Sequence, residues 1–175
     1  MNTTLENHSN EGVTSVYAGF WIRVGAYVID SIILSIPLWL LTSVIFFIFL
    51  GTSDVFYYMM YDPNYMYSDA EMLSVMGAYY TALIITMIVS FIVTVAYFAG
   101  LHSSKWQATI GKRLLKLKVI DGNGNRITFW RAFGRYVAMS FLSGILCIGY
   151  IMVAFTEKKQ GLHDLIASTI VIKSE

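Results

Sequence analysis

Two stretches of this chain run for more than twenty residues with almost no charge, and they restrict the possible folds more than any other feature. Between Gly25 and Leu50 the only charged residue is Asp30, and between Gly77 and Gly100 there is none. At about 1.5 Å rise per residue, either stretch makes a helix able to cross about 30 Å of hydrocarbon, where a helix satisfies its own backbone. Thr81, Thr86, Ser90 and Thr94 in the second stretch can bond to neighbouring backbone or to another helix. A third apolar run, Tyr136 to Phe155, is near the minimum length for a crossing and is interrupted by Gly144 and Gly149. It either crosses or re-enters. The expected class is an all-α membrane protein with two full transmembrane helices and this third helical segment.

Composition agrees with that class. Hydrophobic residues make up 57% of the 175 residues and charged residues 13%, about half the share usual in a soluble protein. The length suits a single domain over residues 20–175, made of apolar segments 25–50, 77–100 and 136–155 and a basic loop 101–135, after a polar tail at 1–19. The tail holds Glu6 and Glu11 and no Lys or Arg, so it lacks the basic start of a signal peptide. Cys147 is the only cysteine, which rules out an intramolecular disulfide. His8, His102 and His163 have no metal-motif spacing, so neither a zinc site nor any other cofactor is expected.

The net charge of +1 conceals a segregation of signs. The connection between the first two helices carries Asp54, Asp62, Asp69 and Glu71 with no Lys or Arg and is rich in Tyr and Met. The loop after the second carries Lys105, Lys112, Arg113, Lys116, Lys118, Arg126 and Arg131, with Arg135 at the edge of the third run, against Asp121 alone. By the positive-inside rule the basic loop is cytoplasmic, and after two crossings so is the amino terminus, with Tyr17, Phe20 and Trp21 at the interface. Arg131 and Arg135 before the third run and Lys158 and Lys159 after it argue that the carboxyl terminus is cytoplasmic as well.

Inside the basic loop, alternation from Leu115 to Ile120, turn residues Asp121 to Asn125, and Arg126 to Phe129 predict a small cytoplasmic β-hairpin, to which Thr169 to Ile172 can add a strand. Lys112, Arg113, Lys116 and Lys118 are candidates for lipid headgroups; the plainer reading is topology signalling alone. Gly111 and Lys112 do not form a phosphate loop, because Trp106 stands where the first Gly is needed and Arg113 where Ser or Thr is needed. No nucleic-acid partner is expected.

Asp30 is the one acidic residue inside an apolar run, and an ionised carboxylate at that depth requires a partner, water or a proton. Arg23 lies on nearly the same helical face but about 10 Å away along the axis, too far for a direct pair, so the partners of both come from elsewhere in the fold. Asp30 is a candidate cation or proton site, with the Ser31 and Ser35 hydroxyls and the Ile33 carbonyl, which Pro37 deprives of its helical donor, as further oxygens. Its structural alternative is a buried ion pair that fixes helix packing. Likewise His163 and Asp164 either relay protons or, with Asp164 as a cap or ion-pair partner, hold the last segment in place.

Three stretches together resemble the RDD family of small bacterial membrane proteins, named for one arginine and two aspartates. Tyr17-Ala-Gly-Phe-Trp-Ile-Arg-Val-Gly-Ala-Tyr-Val-Ile-Asp30 resembles the first signature, placing the Arg at Arg23 and the first Asp at Asp30. Trp106 to Asp121 resembles the central motif, with Ile110 where the family usually has proline, and Gln160 to Val171 places the second Asp at Asp164. The resemblance spans Tyr17 to Ile172. It implies a multi-pass protein of the bacterial cytoplasmic membrane, with sodium/proton antiport reported for some members, and it makes Arg23, Asp30 and Asp164 the expected functional centre.

Two function classes follow. One is a transporter exchanging Na+, Li+ or K+ for protons at Asp30, with Asp164 and His163 as gate or relay, in a homo-oligomer that shields the route from lipid. The other is a non-transporting membrane scaffold or assembly partner whose buried charges lock the helices. An enzyme is not expected, since no nucleophile–base pair or metal constellation accompanies Asp30.

Overall fold

Both uncharged stretches become long helices, and each begins earlier than the apolar run itself. In the computed structural model, which describes residues 17–51, 53–62, 64–143 and 148–174, helix α1 is Phe20–Phe49 and contains Pro37. Helix α2 is Asp54–Tyr61, capped by Ser53, whose hydroxyl accepts from the Phe56 N–H. Helix α3 is Asp69–Val95, continued by a π-helical turn Ala96–Gly100. Its early start has a local cause: Ser68 and Glu71 form a reciprocal cap, the Ser68 hydroxyl accepting from the Glu71 N–H and the Glu71 carboxylate from the Ser68 N–H. Within the long helices the hydroxyls of Ser31, Thr42, Ser43, Thr81 and Thr94 donate to the carbonyl four residues back, which removes free donors from an apolar surface.

Both helices pass the length and hydropathy test for a membrane span, and only 6% and 17% of their most apolar windows are buried. A core helix of a soluble protein hides such a surface; here Trp39 is 72% exposed and Phe47 66%.

The third apolar run is helical on both sides of residues 144–147, which lie outside the described residues. Helix α5, Phe129–Ala138, starts in the basic segment under a Thr128 cap and passes into a π-helical turn Met139–Ser143; helix α6 is Ile148–Phe155. Both that turn and α6 pack against a short helix α7, Leu162–Ile166. Gly144 and Cys147 lie outside the described residues, as do His8 and residues 1–16 of the expected tail; residues 17–19 are not tail, for Ala18 is fully buried.

The expected strand pairing of Leu115 to Ile120 with Thr169 to Ile172 forms, whereas the hairpin partner at Arg126 to Phe129 does not. Strand β1, Leu117–Asp121, does end in a turn, where the Asp121 carboxylate accepts from the Asn123 and Asn125 N–H groups and Gly124 takes φ +84°. The chain then enters α5 and not a second strand. β1 pairs antiparallel with strand β2, Thr169–Lys173, in the register Leu117↔Lys173 and Val119↔Val171. Leu117, Val119 and Val171 are fully or almost fully buried, whereas of Arg126 to Phe129 only Ile127 is buried. The more apolar strand wins the edge.

The chain divides into two compact units, residues up to 32 with those from 95 onward, and residues 33–94. The first has a core of Ala18, Ala26, Ala99, Leu117, Val119, Ile127, Ala132 and Val171. In it the Ala18 N–H donates to the Val171 carbonyl and Tyr17 bridges Ile172, so the start of α1 and the last strand lie side by side. The second unit holds α2, most of α3 and the rest of α1.

Candidate functional site

Both buried aspartates lie in the first unit, in contrasting environments. Asp30, fully buried on α1, accepts from the Tyr97 hydroxyl at 2.7 Å, the Thr109 hydroxyl at 2.5 Å and the Gly111 N–H at 2.7 Å. Thr109 and Gly111 open helix α4, Ile110–Leu114, so the carboxylate of one helix caps another that is remote in sequence. That approach requires glycine: a Cβ on Gly111 would collide with the Ala26 carbonyl oxygen and come within 2.9 Å of Asp30 Cγ and Oδ1. Among the described residues no guanidinium or ammonium bonds to Asp30.

Asp164 is instead clamped by two arginines. Arg23 Nη1 donates to Oδ2 at 2.5 Å, and Arg135 donates to Oδ1 through Nε at 2.8 Å and Nη2 at 2.7 Å. The Gly161 N–H adds a bond at 3.2 Å, so Asp164 also caps α7. Arg23 is fully employed, since Nε donates to the Ala18 carbonyl and Nη2 to that of Lys159, which turns through a left-handed conformation at φ 51°. Burial works to raise the Asp164 carboxyl, but the charge of Arg135, helped by that of Arg23, outweighs it and holds the group below the usual carboxylate range.

Nearby, Lys112 Nζ lies 2.8 Å from His102 Nε2, both side chains buried. Burial, then the charge of Lys112, pushes His102 well below the ordinary imidazole range; burial, then the charge of Arg135, pushes Lys112 well below the usual ammonium range. His163 is driven down to about 3, chiefly by burial, and is therefore neutral at pH 7 although its Nε2 is 3.6 Å from Asp164. Arg135 Nη1 is buried with no hydrogen-bond partner among the described residues.

The sequence profile of the RDD family matches residues 17–168, a span that contains all of these side chains. The chain belongs to the RDD family. It is 40% identical over 156 residues to the uncharacterized protein YxaI of Bacillus subtilis (strain 168), covering 89% of this chain and 96% of that protein. It is 30% identical over 163 residues to the uncharacterized membrane protein YteJ of the same organism, covering 93% and 84%. No solved structure matches the chain. Family membership and the two long apolar helices together point to a membrane location.

The arginine and two aspartates of this RDD protein lie in one unit but make different hydrogen bonds. Arg23 joins Asp164, whereas Asp30 sits with hydroxyl and backbone donors. An Asp30 ion pair, the packing alternative expected from sequence, is absent among the described residues; the carboxylate is satisfied by neutral groups. Of the further oxygens, the Ser31 hydroxyl is exposed and donates to the Tyr27 carbonyl, and Ser35 is exposed; Ile33 lies in the other unit. Arg113, Lys116 and Lys118 are exposed as a headgroup contact requires, and Arg113 stacks on Trp106 at 4.1 Å. Lys112 is the correction: it is buried against His102 and unavailable to a headgroup.

Sequence reasoning missed Arg135, His102, Tyr97, Thr109 and Gly111 as partners. A signal existed for Arg135, which stands at the edge of an apolar run as Arg23 does. Thr109 and Gly111 lay inside the central motif with no carboxylate yet assigned to them.

Proposed function

We propose that this RDD protein is a non-enzymatic membrane exchanger of monovalent cations, Na+, Li+ or K+, for protons, with Asp30 as the group that alternates. The supporting observation is the contrast between the carboxylates. Asp164 is balanced by two guanidiniums, which suits a fixed strut better than an alternating group. Among the described residues Asp30 has no cation in hydrogen-bonding contact, and its partners include the hydroxyl oxygens of Tyr97 and Thr109, which can turn lone pairs toward a bound ion. Oxygen ligands suit a small hard cation, and a proton on Asp30 displaces it. Two spanning helices cannot enclose a polar route, so the reading includes self-association.

The test is ion flux in proteoliposomes. The parent is expected to dissipate an imposed pH gradient when Na+, Li+ or K+ is added, and Asp30→Asn to lose at least about tenfold of that rate, a difference of about 1.4 kcal/mol in barrier. A well-folded parent without flux ends the exchanger reading. The second reading, a membrane scaffold, is favoured by the snug seat of Gly111 against Asp30, which resembles a permanent joint.

Orientation belongs to the same proposal. Tyr17 and Ala18 are hydrogen-bonded to the strand that ends at Lys173, so whichever side of a membrane holds one holds the other. Exposed Lys105, Arg113, Lys116, Lys118, Arg126 and Arg131 in this unit favour the cytoplasm for both. The run 136–155 then enters and returns, its two ends packed on α7. A cysteine at Ser174, in a Cys147→Ser background, is expected to resist a membrane-impermeant reagent in intact cells and react after permeabilisation. Labelling in intact cells would reverse the orientation.

A further inference from the structure

Five of the nine methionines fall between Met59 and Met76, from helix α2 into the first turns of α3. The fold gathers three of them. Met59 on α2 and Met72 and Met76 on α3 line one cavity of about 270 Å³ in the second unit, together with Leu50, Phe56, Val75, Tyr79 and Tyr80. Met72 and Met76 are four apart and share a helix face, and Met59 approaches from the other helix. We propose that this cavity is a binding site for a soft monovalent cation, Cu(I), held by the thioether sulfurs of Met59, Met72 and Met76.

Ligand chemistry and charge both favour that occupant. Thioethers are soft, poor ligands for Na+, Mg2+ or Ca2+, and select Cu(I). The unit offers nothing to a competitor that prefers nitrogen or thiolate, since residues 33–94 contain no His and no Cys. The same residues contain Asp54, Asp62, Asp69 and Glu71 and no Lys or Arg, so the local field attracts a cation to a cavity that is itself uncharged. The rings of Phe56, Tyr79 and Tyr80 add faces that stabilise positive charge. Methionine as mere apolar filler is the competing account, and it predicts that leucine will serve as well.

The experiment uses full-length protein carrying Cys147→Ser, to remove the one thiol, in detergent or nanodiscs. Ag+ as the nitrate serves as the probe in calorimetry, and Cu(I) under ascorbate is measured by competition with a chromophoric chelator. One Ag+ per chain is expected, with each of Met59→Leu, Met72→Leu and Met76→Leu weakening it by at least about tenfold and the triple variant losing it. Leucine conserves volume, so melting temperatures should stay close to the parent's, which separates lost ligation from lost fold. Absence of Ag+ binding to folded parent, or equal binding by the triple-leucine variant, overturns the site. A co-purifying lipid in the cavity of both proteins, without Ag+ binding, would assign it to an acyl chain instead.

Discussion

Asp164→Asn is expected to destabilise the protein by about 3–5 kcal/mol, the cost of leaving buried charge uncompensated, seen as a large fall in melting temperature in detergent. Asp164 is fully buried, and its two oxygens take three bonds from Arg23 and Arg135. Asparagine removes the charge and turns one acceptor into a donor facing a guanidinium. Arg135, whose Nη1 has no partner among the described residues, is then left almost without compensation. Arg135→Met should cost less, because Arg23 and Asp164 remain as a one-to-one pair. Arg23→Lys should melt above Arg23→Ala, yet below the parent, since an ammonium keeps the charge and loses the fork that reaches Ala18, Asp164 and Lys159 together. Equal melting temperatures for the two Arg23 variants would refute a specific pair.

Acidification should act in the same direction, for two separable reasons. Between its unfolded value of 6.5 and its folded value of about 3, His163 is protonated only when unfolded, so stability falls as pH drops through that window. The slope approaches about 1.4 kcal/mol per pH unit for each such group. Asp164 is lowered relative to 3.8, so its contribution persists above that value and disappears as pH falls below it. A loss of melting temperature between pH 7 and pH 5 is therefore a histidine effect, and His163→Gln should reduce it.

Gly111→Ala is the second large effect, about 2–4 kcal/mol from overpacking together with a lost hydrogen bond to a carboxylate. The added methyl meets the Ala26 carbonyl and Asp30, one a helix backbone and the other a buried side chain held by three bonds, so neither can retreat cheaply. Helix α4 must move away from α1, which breaks the 2.7 Å bond from the Gly111 N–H and uncovers Asp30. Loss of the exchange assigned to Asp30 should accompany the loss of stability. Gly134→Ala is the control: it lies on α5 with nothing within 4 Å of its Cβ position, and should be neutral or stabilise by up to about 1 kcal/mol. Similar melting temperatures for the two variants would mean that α4 does not seat on α1 as described.

Much of this architecture is legible along the chain, because hydropathy, charge order and capping patterns are properties of neighbouring residues. The runs 25–50 and 77–100 announce the two long helices, though not the earlier start that the Ser68–Glu71 cap gives the second. The motif order Arg23, Asp30, Asp164 identifies the family. The run 136–155 is helical where it is described, but its first helix, α5, begins at Phe129, ahead of the apolar run. The hairpin expectation failed because turn chemistry at Asp121 to Asn125 says that the chain reverses, not which strand is then chosen.

Only the tertiary structure decides what faces each charge. The Arg23–Asp164 bond joins residues 141 apart, and the bonds to Asp30 come from 67, 79 and 81 residues away. A sequence shows that a buried carboxylate needs partners, since its desolvation demands them. It does not show whether they are guanidiniums or hydroxyls, because that depends on which helix ends the packed core brings together. The sequence by itself determined two long apolar helices, a segregated charge pattern and the family; packing alone chose the partners of the two aspartates, clamping Asp164 with charge and leaving Asp30 to neutral donors among the described residues.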